Sequence, residues 1–339
     1  MGRRNQTIDT IRGIAIVIMI AANAWPSIYP FEVCPIMLRV LFSTAAPIFI
    51  FLSGMSIFLA QQSGKSSADI AKRAAQVLFL AAGIDALVWS IVPFYTMDVL
   101  YLIAIANFVL IVFKSINKQI QFILLFVIIG SIFFTGELYQ FQMEEVTWLE
   151  IAENYNGKSA VRHMLFDGWF PLFPWLGVAI LGYIVGAYEG YLSKFKFEFL
   201  TASFLLITTY LLTFFSGQNV QPLRDGYTEL FYPVNGYFLV YLIGLYSLII
   251  YFQITDFLHV KLLSDLGKVS LPIYLLHSII IRFLIPFFQQ SDKNFRFEIL
   301  LAGLLVFYLL IFASSFILNK YHKALKNGKY KILGSLIGI

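Results

Sequence analysis

Polar residues are so sparse along this chain that they work as punctuation. Runs of about 18 to 22 apolar residues, each the length of a membrane crossing, recur between short segments carrying Lys, Arg, Asp or Asn. The runs are continuous, without the in-out alternation of barrel strands. In lipid only helices and closed barrels satisfy their own backbones, so continuous runs predict helices. Spans are expected near 10–27, 38–60, 74–93, 98–113, 120–136, 170–188, 199–215, 234–253, 270–288 and 298–318. The fold class is therefore all-α, a polytopic membrane helix bundle of about ten transmembrane helices. It reads as one transmembrane domain over 1–339, with an outer loop near 137–169 and a basic tail near 319–339.

Composition strengthens this pattern. Of 339 residues, 59% are hydrophobic and only 13% charged, and mean hydropathy is +0.79; no soluble core hides that much apolar surface. If the N-terminus is cytoplasmic, seventeen of the 24 basic residues fall in inside segments. The positive-inside rule then puts both termini in the cytoplasm, in the cytoplasmic membrane. The net charge of +5 is a topology signal and an attraction to anionic lipid headgroups rather than a nucleic-acid footprint. Arg3 and Arg4 before an apolar run ending in Ala22-Asn23-Ala24 imitate a secretory signal, but the charge logic favours an uncleaved first helix. A lone Cys34 excludes an internal disulfide and a cysteine zinc site. HExxH, phosphate-loop and dinucleotide patterns are missing from the sequence, so no metal is expected.

Polar groups inside spans are costly, which makes them candidates for function. The first span opens with Thr7-Ile8-Asp9-Thr10-Ile11-Arg12-Gly13 and carries Asn23 near its far end. Eleven residues are about three turns plus roughly 20°, so Arg12 and Asn23 share a face. Asp85 lies deep in the third span and Asp98 opens the fourth. Arg73 and Lys72 lie at the inner mouth of the third. His277, in Leu271-Pro272-Ile273-Tyr274-Leu275-Leu276-His277, is mid-span, with Arg282 five residues on as counterion or snorkelling cation. His163 lies in the outer loop four residues before Asp167, a helical spacing that lets a carboxylate orient the ring for acid/base work. The bland alternatives are a packed polar residue for His277 and a solvated loop residue for His163. His259 and His322 read as surface residues. Glu137, Glu144, Glu145, Glu150 and Glu153 make the first part of the long outer loop acidic, and Arg224, Asp225 and Glu229 mark a second outer loop able to roof a site. In Gly168-Trp169-Phe170-Pro171-Leu172-Phe173-Pro174-Trp175-Leu176-Gly177 an interfacial helix start precedes a small face of Gly177, Gly182 and Gly186.

The opening motif through Asn23 resembles the transmembrane acyltransferase superfamily, in particular its heparan-α-glucosaminide N-acetyltransferase-like (DUF1624) branch. In the related acyltransferase-3 branch an Arg is followed after ten residues by a His; here Arg12 is followed after ten by Asn23, as in the glucosaminide acetyltransferase pattern. Pro47-Ile48-Phe49-Ile50-Phe51-Leu52-Ser53-Gly54, Asp98-Val99-Leu100 and Ser270-Leu271-Pro272-Ile273-Tyr274-Leu275-Leu276-His277 agree in order. The heparan branch places a catalytic His eleven residues beyond its Asn; that offset here lands on Cys34. The base is then His163 or His277, or Cys34 carries the acyl group, or transfer has been lost.

The resemblance implies an integral membrane acyltransferase moving an acetyl or similar short acyl group from cytosolic acyl-CoA to an extracytoplasmic sugar or glycoconjugate. Asp9, Arg12 and Arg73 would serve the donor's anionic phosphates. Asn23, His163 and His277 are the catalytic candidates, with Asn23 on the oxyanion and a histidine taking the proton. Expected partners are acyl-CoA, the glycan acceptor, membrane lipid and, as one mode of assembly, a second copy in a homodimer. The competing readings are a transporter or flippase whose Asp9, Arg12, Asp85 and His277 line a path, and a non-catalytic subunit of a glycan-synthesis complex.

Overall fold

The computed structural model describes residues 5–27, 34–134, 147, 156–217, 228–231, 234–283 and 297–327. These are helical throughout apart from short connections and a single antiparallel bridge between Ile91 and Thr147. The helices are α1 Gln6–Ala24, α2 Ile36–Phe42, α3 Ala45–Gln62, α4 Ser67–Ile84, α5 Val99–Phe113, α6 Lys118–Gly130, α7 Gly157–Arg162, α8 Leu172–Leu192, α9 Lys196–Phe215, α10 Gly236–Thr255, α11 Lys261–Lys268, α12 Ser270–Phe283 and α13 Phe297–Asn327. All ten expected stretches carry one. By length and apolar composition four helical stretches suffice for a crossing: Gln6–Ala24, Ile36–Gln62, Leu172–Phe215 and Gly236–Thr255. A fifth follows if the bent pair Lys261–Lys268 and Ser270–Phe283 counts as one span. The 44 residues of Leu172–Phe215 would run about 66 Å if straight, more than a hydrocarbon core of about 30 Å. The 3-10 turn Ser193–Phe195, with Lys194 inside it, divides α8 from α9.

Several helices start where an Asx or Ser side chain takes an orphan backbone N–H. Asn5 accepts from Ile8 N at 3.1 Å, which moves the start of α1 upstream of residue 10. Ser66 and Asp69 form a reciprocal capping box, so α4 begins well before residue 74. It ends early too: after Ile84 the chain passes through a π-turn, Asp85–Trp89, and Ser90 adopts a left-handed φ of 60°. At the other end of the chain, α13 carries helix past the apolar stretch to Asn327.

The described residues cluster into two compact units, one within 46–224 and 230–257, the other within 5–45, 225–229 and 258–339. In the first, α3 and α8 cross on glycines. A Cβ on Gly54 would fall 1.8 Å from the carbonyl oxygen of Ala179, and one on Gly182 would fall 1.9 Å from that of Phe51. The small face predicted on α8 is thus a crossing point. Gln61 ties this unit further: it donates to the carbonyls of Leu110 and Ile111 and accepts from the Tyr183 hydroxyl.

In the second unit α1 crosses α11 in the same way. A Cβ on Gly13 would meet the Leu263 carbonyl oxygen at 2.0 Å, and one on Gly267 that of Asp9 at 1.9 Å. The chain then turns by 83° at Val269 into α12. Tyr308 of α13 donates to the Val17 carbonyl at 2.8 Å, and Asn319 to that of Asp265 at 2.7 Å. α13 is therefore tied to both α1 and α11. The acidic outer stretch with Glu137, Glu144, Glu145, Glu150 and Glu153, the loop residues Arg224 and Asp225, and the tail beyond Asn327 lie outside the described residues.

Candidate active site

The site builds up along α1. Near its N-terminus Asp9 and Arg12, one turn apart, form an ion pair at 3.0 Å, with only 3% and 17% of their side chains exposed. The crossing of α11 at Gly13 and Gly267 covers this end. In the last turn Asn23 projects to an exposed position, on the same face as Arg12 and about 16 Å further along the axis. There the Asn23 amide nitrogen lies 3.0 Å from His277 Nε2, which joins residues 254 positions apart in the chain. His277 is 1% exposed, and its ring meets Tyr274 edge-on at 4.9 Å. With the amide donating, Nε2 presents its lone pair and the ring proton sits on Nδ1, the tautomer that can accept a proton from a substrate.

Cys34 belongs to this unit, packed with Ala22 and Phe42 and flanked by Trp25 and Leu38. Burial pushes its thiol up to about 11, outweighing the opposite pull of Arg39. A thiol so protonated is a poor nucleophile, which counts against Cys34 as an acyl carrier. Arg282 is exposed at the end of α12, the residue before its last.

The first unit holds the other candidates. Asn156 caps α7 through Lys158 N at 3.0 Å, and the helix continues into a π-turn, His163–Asp167. That turn closes the predicted pair: His163 Nδ1 lies 2.8 Å from Asp167 Oδ1, and Arg162 Nε holds Oδ2 at 2.7 Å. His163 is buried at 1% exposure, with Tyr95 edge-on at 5.3 Å; it is no solvated loop residue. Its surroundings close over it. Trp169 N and Phe170 N bond the carbonyls of Thr96 and Met97, and Gly168 leaves no room for a Cβ against His163 O. Asp85 accepts from the Tyr101 hydroxyl at 2.6 Å, and Arg73 is half-buried on α4. The fold thus gathers Asp9, Arg12, Asn23 and His277 into one unit and sets His163 and Arg73 in the other.

The model of the catalytic region of heparan-alpha-glucosaminide N-acetyltransferase matches residues 4–219. The chain belongs to this family. It is accordingly a membrane transferase of the N-acetyltransferase type. A second model, that of a protein of unknown function (DUF418), matches residues 189–323. In this acetyltransferase-family chain the Asn23 to His277 bond therefore links the stretches covered by the two models. No curated protein matches the chain.

The bend at Val269 and the tie from Arg39 to Thr228 escape a reading of the sequence. Arg39 is 6% exposed and donates through Nε to the Thr228 carbonyl at 3.2 Å. Its one sequence signal is a cation inside an apolar run.

Proposed function

We propose that the chain transfers an acetyl or similar short acyl group from cytosolic acyl-CoA to a hydroxyl or amine of an extracytoplasmic sugar or glycoconjugate. The contact between Asn23 and His277 carries this reading: a hydrogen-bond donor and an imidazole base placed together, at an open position, on the helix whose other end holds a buried ion pair. Arg12, fixed by Asp9, would take the anionic phosphates of the donor at the cytoplasmic end. The pantetheine arm would follow the shared face of α1 toward Asn23.

The acceptor hydroxyl or amine would replace the Asn23 amide at His277 Nε2. Attack on the thioester carbonyl forms the new C–O or C–N bond while Nε2 takes the acceptor's proton. The freed Asn23 N–H donates to the carbonyl oxygen as charge develops there. Collapse breaks the C–S bond, and the proton passes from His277 to the departing thiolate. No further energy source is required, because the thioester is already activated. His163 and Arg73 take no part in these steps. Ten spans with both termini cytoplasmic and a single catalytic domain, in the cytoplasmic membrane, complete the proposal.

The test of the donor half is binding of acetyl-CoA to the purified protein in detergent. Saturable binding that Arg12→Ala weakens at least tenfold is expected. Equal affinity in the variant would remove Arg12 from the donor site, and no saturable binding by the folded wild-type protein would overturn the acyl-CoA reading.

A further inference from the structure

Resting on the ten-span reading above, we infer that the face formed by α4 and α6 is fitted to short lipid acyl chains, so that the bilayer is thinned beside it. Helix length points to this. Within the compact unit of 46–224 and 230–257, α8 and α10 run to 21 and 20 residues. That is about 30 Å at 1.5 Å per residue, which matches a hydrocarbon core of about 30 Å. The helices α4, α5 and α6 fall short of it. α5 has 15 residues, or about 22 Å. α6, followed through Ser131 to Phe134, reaches about 25 Å. The apolar part of α4 with its π-turn, from Ala74 to Trp89, reaches about 24 Å.

None of these helices gains length from its flanks. Lys72 and Arg73 precede the apolar part of α4, and Lys114 and Lys118 bound the tight link between α5 and α6; the three lysines are exposed. At the other end Ser90, with its left-handed φ, stops α4, Asp98 precedes α5, and Thr135-Gly136-Glu137 follow Phe134 in the sequence. Tilt only shortens the projection on the membrane normal, and snorkelling by Lys114 and Lys118 recovers part of the difference at one end.

The outward surface is apolar. Ile120, Phe126, Val127 and Phe134 of α6 and Phe79 and Leu87 of α4 are exposed. The polar groups of these stretches turn inward: Asp85 accepts from the buried Tyr101 hydroxyl at 2.6 Å, and Gln121 donates to the carbonyls of Phe113 and Ile116. Acyl chains cover such a face in a membrane. Long chains would draw Lys114 and Lys118 into hydrocarbon, which is costly; a thinner layer meets the belt at its own length. It also shortens the route of an acyl group between a cytosolic donor and an outer acceptor.

The experiment places bimane, in a Cys34→Ser background of the full-length protein, on Phe126→Cys at the middle of α6 or on Ile243→Cys of α10, both exposed positions. Each protein is reconstituted into vesicles where dibrominated phosphatidylcholines made from myristoleoyl, oleoyl or erucoyl chains compete with dioleoylphosphatidylcholine as quenchers. At residue 126 the myristoleoyl lipid should be preferred over the erucoyl lipid by about threefold or more, and at residue 243 the order should be level or reversed. Equal preference at the two positions, or preference for erucoyl chains at 126, would overturn the thinning and leave α6 as a span. Quenching at 243 but by no lipid at 126 would show that chains do not cover this face, and would overturn it as well. Labelling of Lys118→Cys and Lys158→Cys by an impermeant maleimide from the same side of intact cells would instead sink the crossing by α6, the reading on which the proposal rests.

Discussion

An amide that donates to an imidazole fixes the tautomer of the ring and holds a polar group ready for the substrate that displaces it. Asn23 and His277 each stand out in the sequence as polar residues in apolar runs, and Arg12 and Asn23 share a face by helical arithmetic alone. Their pairing is another matter: a single sequence carries no information on which residues 254 positions apart will touch. The His163 and Asp167 pair was legible because both ends lie within one turn, although its burial was not. Cys34 supplies a test at this scale. Its raised pKa means that the thiolate is scarce below about pH 11. At pH 8 alkylation should run about a hundredfold slower than for an ordinary thiol and should rise about tenfold per pH unit up to that point. Rapid alkylation at pH 7 would restore Cys34 as a candidate acyl carrier.

Helix crossings on glycine set the spacing between elements, and with it the distance between the candidate groups Arg12, Asn23 and His277. The crossing of α1 with α11 brings the backbone carbonyl of Leu263 to where a Gly13 Cβ would be. Because α11 leads directly through Val269 into α12, any separation there is passed toward His277. Gly13→Ala should therefore lower thermal stability in detergent, by about 1–3 kcal/mol, and reduce transfer at the same time. Gly83→Ala is the control, since a Cβ there has nothing within 4 Å. Equal melting temperatures for the two variants would refute the close crossing. At this scale caps and small faces could be read in advance: Asn5, Ser66 and Gly182 are local signals. The turn of 83° at Val269 could not. The segment around α11 reads as a basic surface stretch, and only packing against α1 turns it into a buried half-helix.

For the whole molecule, the distribution of Lys and Arg predicts by the positive-inside rule that both termini face the cytoplasm, and the proposed direction of transfer depends on it. On that expected orientation Lys65 and Lys118 lie at inner ends of helices and Lys158 in the long outer loop; all three are exposed. In a Cys34→Ser background in intact cells, an impermeant maleimide should label Lys158→Cys and spare Lys65→Cys and Lys118→Cys until the membrane is broken. Labelling of Lys65→Cys in sealed cells would reverse the orientation and with it the cytosolic donor. All-helical membrane architecture was legible at this level because lipid leaves so few backbone solutions. The grouping into two compact units was not, since it depends on contacts among distant segments such as α1 and α11.

The most direct measurement is transfer of labelled acetyl from acetyl-CoA to methyl α-glucosaminide by wild-type protein, His277→Ala and His163→Ala, with acetyl-CoA binding measured on each. His277→Ala should lose about 10²- to 10⁴-fold in kcat while still binding donor, and His163→Ala, if folded, should keep its rate within a few-fold. A His277→Ala protein that transfers at the wild-type rate would contradict the assignment of the reaction to the Asn23 and His277 pair.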